Sequence, residues 1–268
     1  MHRIAFLACT LLMAIGAGLS ASWAAELVPL YLYNTPPPLN TNTPGNLSDH
    51  LAQRLTEASG GKYRFKATFL PRKRLDILVA SKRWRGAVIW ANPEWFDDRQ
   101  RRRYLWSHPL ATDYNLVASH RLKPVKYDGP ASLKGLRLGG VLGHVYPEFE
   151  SMLNHGEIIR EDTRDYELNL LKLQSQRIDV TFLPASSLTA YTRKFPDLPN
   201  WLHIAATPRS TFHYYIFCDR SEAKLMSYLN TQISQLKLDT VWHETTSTWL
   251  HHQPQRSQPK EGNAARDQ

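Results

Sequence analysis

Residues 86–110 read GAVIWANPEWFDDRQRRRYLWSHPL. An apolar run, Ala87–Ala91, stops at Asn92-Pro93. An acidic and then arginine-rich segment follows, and the chain resumes with Trp106-Ser107 and Pro109-Leu110. Such a short apolar run, bounded by glycine and an Asn-Pro turn, reads as a strand buried on both faces. Polar and cationic side chains just past its carboxyl end stand where open α/β sheets bind ligands. The stretch predicts a parallel sheet with a small polar solute at its rim.

Working outward, residues 27–33 read as a first strand, followed by Pro36-Pro37-Pro38, which suits neither a helix interior nor a central strand. From Gly45, Leu47, Leu51 and Leu55 recur at helical spacing and stop at Gly60-Gly61. Residues 62–70 alternate as a strand, and residues 71–82 form a helix opened by proline. The order is βαβαβ, which implies a mostly parallel sheet between helices.

The same order repeats downstream. After a strand-like segment at 113–119, residues 136–142, 157–160 and 178–183 read as strands. Helices at 146–154 and 166–175 alternate with them. Residues 211–218 are again strand-like. Residues 221–250 form a closing helical stretch with Leu225, Leu229, Ile233, Leu236 and Val241 on its apolar face. Gly139-Gly140-x-x-Gly143 follows a strand, but its spacing is wrong for a dinucleotide fingerprint.

At the amino terminus, His2-Arg3 precedes an apolar run over residues 4–19. Small residues then lead to Ser22-x-Ala24, with Ala25 as the alternative cleavage point. This reads as a secretory leader over residues 1–25, the rival reading being a membrane anchor. Its removal leaves one cysteine, Cys218, inside an apolar run. The exported chain then has no internal disulfide and rests on its core. No metal site or cofactor is expected.

There are 33 Lys and Arg against 24 Asp and Glu, a formal charge of +9. The basic residues are scattered outside residues 99–103 and no nucleic-acid motif accompanies them, so a solvated surface is expected and nucleic acid is not. Residues 251–268, rich in Gln, Pro and charge, read as a disordered tail.

The ordered pieces Pro36-Pro37-Pro38-Leu39, residues 45–49, Arg99 with Trp106-Ser107-x-Pro109-Leu110, Leu133-Lys134-Gly135 before Gly140-Val141-Leu142-x-His144, and Arg177-Ile178-Asp179 carry a resemblance. The chain resembles the family 3 extracellular solute-binding proteins, periplasmic receptors typified by the polar amino-acid binding proteins of ABC importers. The resemblance implies an α/β, two-lobed, type II periplasmic binding protein-like fold. Each lobe would be a βαβαβ sheet flanked by helices, joined by a double-crossover hinge. It places the first lobe over residues 26–115, the second over 116–212 and the return to the first over 213–250.

In that family the ligand lies between lobes that close about a hinge. An arginine pairs with a carboxylate, an acid receives the ammonium and aromatics cover the apolar part. Arg99 matches that arginine when counted from the strand. Counting back from Trp106-Ser107 lands on Gln100, which leaves Arg101 open, and the whole run also reads as a solvated helix face. Where amino-acid binders hold the ammonium, this chain has Pro184, and Glu94 near the strand end is a replacement acid.

Tyr33 either stacks on a ligand or caps the first core. Asn92 offers donor and acceptor or is only an Asn-Pro turn. Arg72 faces the cleft or the solvated first turn of its helix. His144 and Tyr146 lie where a helix opens and anions are favoured.

The expectation is a non-enzymatic periplasmic receptor, monomeric, that takes a small polar or anionic solute to an inner-membrane ABC permease. A sensor subunit for a membrane signalling protein is the second reading. A cyclic-acid dehydratase-like enzyme on the same fold is the third.

Overall fold

The computed structural model describes residues 25–33, 36–40, 45–81 and 83–250, the last three by backbone alone. Residues 1–24 of the expected leader and the expected tail at 251–268 lie outside the described residues.

The first unit runs β1 (Glu26–Leu32), α1 (Leu47–Glu57), β2 (Tyr63–Phe69), α2 (Arg72–Ala80) and β3 (Ala87–Ala91). Asn46 caps α1 by accepting the Asp49 amide, and Leu47, Leu51 and Leu55 turn inward as their spacing requires. Gly86 takes φ +95°, and a Cβ there would sit 2.5 Å from the Pro29 carbonyl oxygen. Only glycine lets the chain enter β3 against β1.

After the two-residue β4 (Leu105–Trp106), the long strand β5 (Ala111–His120) leads into the second unit. This holds β6 (Arg137–Val141), α3 (Glu150–Asn154), β7 (Ile159–Thr163), α4 (Tyr166–Gln174) and β8 (Val180–Pro184). Then come α5 (Ala185–Lys194), α6 (Leu198–Trp201), β9 (Leu202–Ile204), β10 (Ser210–Cys218), α7 (Ala223–Leu236) and α8 (Thr240–Leu250).

The strands are ordered β2-β1-β3-β10-β5-β8-β6-β7, with β4 beside β10 and β9 beside β5. Strands β1, β2 and β3 pair in parallel, as do β6, β7 and β8. Strands β5 and β10 run antiparallel to their neighbours. Strand β10 belongs to both halves: Ser210 to Tyr214 pair with β5, whereas Tyr215 to Cys218 pair with β3 and β4. The chain therefore crosses between lobes twice, at 107–111 and at 214–215. The two crossings are tied by Ser107 N to Ile216 O (2.8 Å), Ile216 N to Ser107 Oγ (2.9 Å) and Leu110 N to Tyr214 O (2.8 Å).

The first lobe has one continuous core that takes in β1, β3, α1, the lower half of β10 and α7. The second has two smaller cores. Leu116 and Ala118 of β5 face one and Val117 faces the other, as the two-residue period of a strand dictates. Cys218 is fully buried with its thiol pushed up to about 12 by burial, an inert apolar residue.

Three features differ from the sequence expectation. The arginine-rich segment is not a helix face. Asp97 and Arg101 take left-handed φ values of 51° and 55°, and the segment wraps around Asp98, which is 4 % exposed. That carboxylate accepts the amides of Arg102 (2.7 Å), Arg103 (2.9 Å) and Tyr104 (3.1 Å) and the Trp106 indole N–H (2.8 Å). The closing helix is broken at 237–239, where Asp239 forms an ion pair with Arg54 and accepts the Trp242 amide at 3.0 Å. Helices α5 and α6 and strand β9 fill a stretch with no earlier assignment.

Helix α8 then packs on α5 and β5 of the second lobe, while its Trp242 is buried in the first-lobe core. Among the described residues no helix is long and apolar enough to cross a membrane.

Candidate functional site

The carboxyl ends of β1, β2 and β3 in one lobe and of β6 in the other carry the residues that meet between the lobes. On the first-lobe side, Tyr33 directly follows β1. It is 8 % exposed, its ring edge meets Phe96 at 5.3 Å, and the Arg72 guanidinium lies 5.0 Å over its face. Its hydroxyl is buried with no hydrogen-bond partner among the described residues, and burial pushes the phenol up, so it stays a donor.

Arg72 is the first residue of α2. It donates Nε to Asp76 (2.8 Å) and Nη2 to the Trp95 carbonyl (2.6 Å), and lies 4.4 Å over Phe96. Ion pair, backbone acceptor and two aromatic faces fix its orientation.

Beneath this shelf, Trp90 takes φ 55° in the middle of β3, opposite the irregular register of β10 between Tyr215 and Phe217. A non-glycine residue held there costs about 1–3 kcal/mol. The kink aims the indole so that Nε1 donates to Ser48 Oγ at 2.7 Å and the ring edge meets Tyr214 at 5.6 Å.

The second-lobe side is cationic. Tyr146, buried at the end of the β6 loop, has Arg160 over its ring at 4.9 Å and Arg209 at 5.0 Å. Arg160 is stapled: Nε donates to Asp162 (2.7 Å) and Nη2 to the His144 carbonyl (2.9 Å). Gly140 makes room for this pair, since a Cβ would fall 2.1 Å from Asp162 Oδ1 and 2.7 Å from Arg160 Nε. A Cβ on Gly139 would strike Ile178 and Asn169, so the paired glycines serve packing across β6.

Arg209 has only 12 % of its side chain exposed and lies 4.7 Å over Phe182. Glu148 sits 3.3 Å from its Nε, but off the donor direction, so Nε and Nη1 have no hydrogen-bond acceptor among the described residues.

His144 lies on the second-lobe side, in the loop after β6. Its Nδ1 is 3.5 Å from the Tyr166 hydroxyl. Burial, then the charges of Arg209, Arg160 and Arg72, push it down to about 4, against a weaker opposing effect of Asp162. It is therefore neutral at ordinary pH. Arg72 belongs to the other lobe, and its charge still reaches this imidazole.

The hinge floor holds Asp113 of β5, fully buried. It accepts the amides of Tyr114 (2.8 Å) and Ser186 (3.2 Å) and the Tyr214 hydroxyl (3.4 Å). Burial outweighs these bonds and raises its carboxyl.

Of the residues singled out in the sequence, Tyr33 and Arg72 come together on the first-lobe side, and His144 and Tyr146 come together around Arg160 on the second-lobe side. Asn92 lies at the hinge: its Oδ1 accepts the Glu94 amide (3.0 Å) while Nδ2 donates to the His213 carbonyl (3.0 Å). Turn and interlobe tie are thus made by one side chain. Glu94 and Arg99 are not gathered with them. They pair with each other at 3.2 Å with 58 % and 75 % of their side chains exposed. Arg101 lies 4.6 Å over Tyr215, below the hinge.

Arg160, Arg209, Asp113, Tyr166 and Trp95 were not found from the sequence. The strand pattern around Arg160 was available; Arg209 gave no signal beyond preceding a strand. Two surface depressions lie away from this cleft, one lined by Glu26, Arg85, Glu222 and Lys224 at the start of α7 and one between α1 and α7 lined by Arg54, Glu57 and Asp239.

No protein-family model matches this sequence, and no curated protein matches it. Solved structures do match in fold. A periplasmic binding protein of high arginine specificity from Salmonella typhimurium superposes with TM-score 0.60 at 15 % identity, over 84 % of this chain and 100 % of that one. The GluR0 ligand-binding core in complex with L-glutamate gives 0.65 at 15 %, over 85 % and 100 %. An ancestral amino-acid-binding protein, described as a precursor of cyclohexadienyl dehydratase, gives 0.61 at 14 %, over 84 % and 96 %. The fold is the two-lobed, type II periplasmic binding protein-like fold, the one that the sequence resemblance implied.

Proposed function

We propose that this chain is an exported, non-enzymatic receptor that captures a small polar or anionic solute between its two lobes and delivers it to an inner-membrane ABC permease. The observation that carries the reading is the pair of arginines, Arg160 and Arg209, laid over the Tyr146 ring at 4.9 and 5.0 Å, with Arg160 bonded to the His144 carbonyl. Cations held so close repel one another unless an anion or its polar equivalent lies beside them, so an anionic ligand that also reaches Arg72 of the other lobe would favour closure. The binding proteins that share the fold support the same reading.

Catalysis of the dehydratase kind is disfavoured by the position of Glu94, the replacement acid, which turns outward to Arg99. The buried acid that remains, Asp113, is occupied by two amides and a phenol.

The test is a thermal-shift screen of amino acids, organic acids and polyamines on the mature protein, followed by small-angle scattering for closure. A solute at a hundred times its Kd is expected to stabilise the protein by about 2.7 kcal/mol. No shift and no compaction across the panel would overturn the proposal.

A further inference from the structure

We infer that the cleft selects a small organic acid that carries no ammonium group, an inference that rests on the receptor reading above. The hydrogen-bond inventory of the cleft is lopsided. Asp76 is hydrogen-bonded by Arg72, Asp162 by Arg160 and Asp113 by two amides and a phenol, while Glu148 lies 3.3 Å from Arg209 Nε as an ion pair without a hydrogen bond to it. The buried groups left over there among the described residues include Nε and Nη1 of Arg209, which only donate, and the hydroxyls of Tyr33 and Ser186, which donate or accept. Asn169 Oδ1, a buried acceptor without a donor, lies away from the cleft beside Gly139.

A ligand that satisfies this set presents acceptors. A buried ammonium there would meet the guanidinium charges of Arg160 and Arg209, and bringing like charges together away from water is expensive.

Two further observations agree. Helix α2 opens with Arg72, Lys73 and Arg74 and no acidic residue, and no side chain caps it, so three cations sit at the positive end of the helix dipole. That placement is unfavourable for an isolated helix and favourable beside an anion. His144, which would otherwise add a charge, is held neutral by burial first and then by the neighbouring arginine charges.

The test is titration calorimetry on the mature protein with pairs that differ only in the ammonium: 3-phenylpropanoate against L-phenylalanine, and glutarate against L-glutamate, with inorganic phosphate as a third arm. At least one acid is expected to bind about tenfold or more tighter than its amino partner. Arg209→Gln is expected to weaken that acid about thirtyfold and Tyr33→Phe about fivefold. Arg209→Lys should recover part of the loss, and circular dichroism should establish that all three variants fold. An amino acid that binds tighter than its partner acid, or phosphate that binds in place of both acids, overturns the inference and leaves the receptor standing. Binding of nothing in this set or in the wider panel overturns both.

Discussion

The two faces of the cleft are built on different principles. The first lobe offers an aromatic shelf, Tyr33, Phe96 and Trp95, with one arginine fixed across it. The second offers two arginines laid over Tyr146, backed by carboxylates. Overall charge runs the other way. Residues 25–110 and 215–250 hold 17 Lys and Arg against 11 Asp and Glu, whereas residues 111–214 hold 12 against 11. The more basic lobe thus keeps most of its cations outside, and the nearly neutral lobe concentrates two at the cleft. Net charge describes a lobe's surface; only burial and partners describe its site.

The cores differ as well, and the largest expected effect tests that difference. Phe217 packs against Trp84, Phe96, Tyr104 and Trp106 in the continuous first-lobe core. Phe217→Ala should cost about 3–5 kcal/mol in urea unfolding. A loss below about 1 kcal/mol would mean that the first lobe does not behave as one packed unit.

Asp98 comes next. Burial alone would raise its carboxyl, but the bonds from Trp106 and the amides of Arg103, Tyr104 and Arg102 win and hold it below the usual carboxylate range. A group so lowered contributes stability that is present above its unfolded pKa and is lost as pH falls through the folded one. Asp98→Ala should therefore cost about 2–3 kcal/mol at pH 7 and much less near pH 2. Melting curves across that range read the difference, and an equal loss at both ends would remove the carboxylate from the account.

In the second lobe, Gly140→Ala should displace the Arg160–Asp162 pair at a cost of about 1–3 kcal/mol, and should weaken ligand binding along with stability. Binding that survives intact would show that the position of Arg160 does not matter to the ligand. The smallest effect belongs to Arg99→Ala on the first lobe. Its exposed pair with Glu94 should yield less than about 0.5 kcal/mol, and ligand affinity should not move. A large loss of affinity would return the ligand to the arginine run and erase the contrast between the faces.

What could be read in the sequence follows the range of the forces involved. Strand β3 was legible to the residue because an apolar run with sharp punctuation is a local signal. The leucines of α1 and α7 were equally legible through their spacing. The turn around Asp98 was not, since four donors spread over residues 102–106 organise it and sequence spacing gives no sign of their convergence.

The same holds for the site. Tyr33, Arg72, His144 and Tyr146 could be nominated because they sit just beyond strands. Arg160 and Arg209 lie 49 positions apart, and only the folded sheet brings both to the ring of Tyr146. The break before α8 escaped notice because Val241, read as part of one long apolar face, is exposed, while Trp242 turns inward.

That last helix has a mechanical meaning. Strands β5 and β10 are the two straps that join the lobes, and α8 lies against α5 and β5 of one lobe with Trp242 pinned in the other. A door hung on two straps and wedged by a bar cannot swing without moving the bar. Closure of the kind proposed above would have to drag α8 along α5 or draw Trp242 from its socket, which would make the final helix a brake on the hinge.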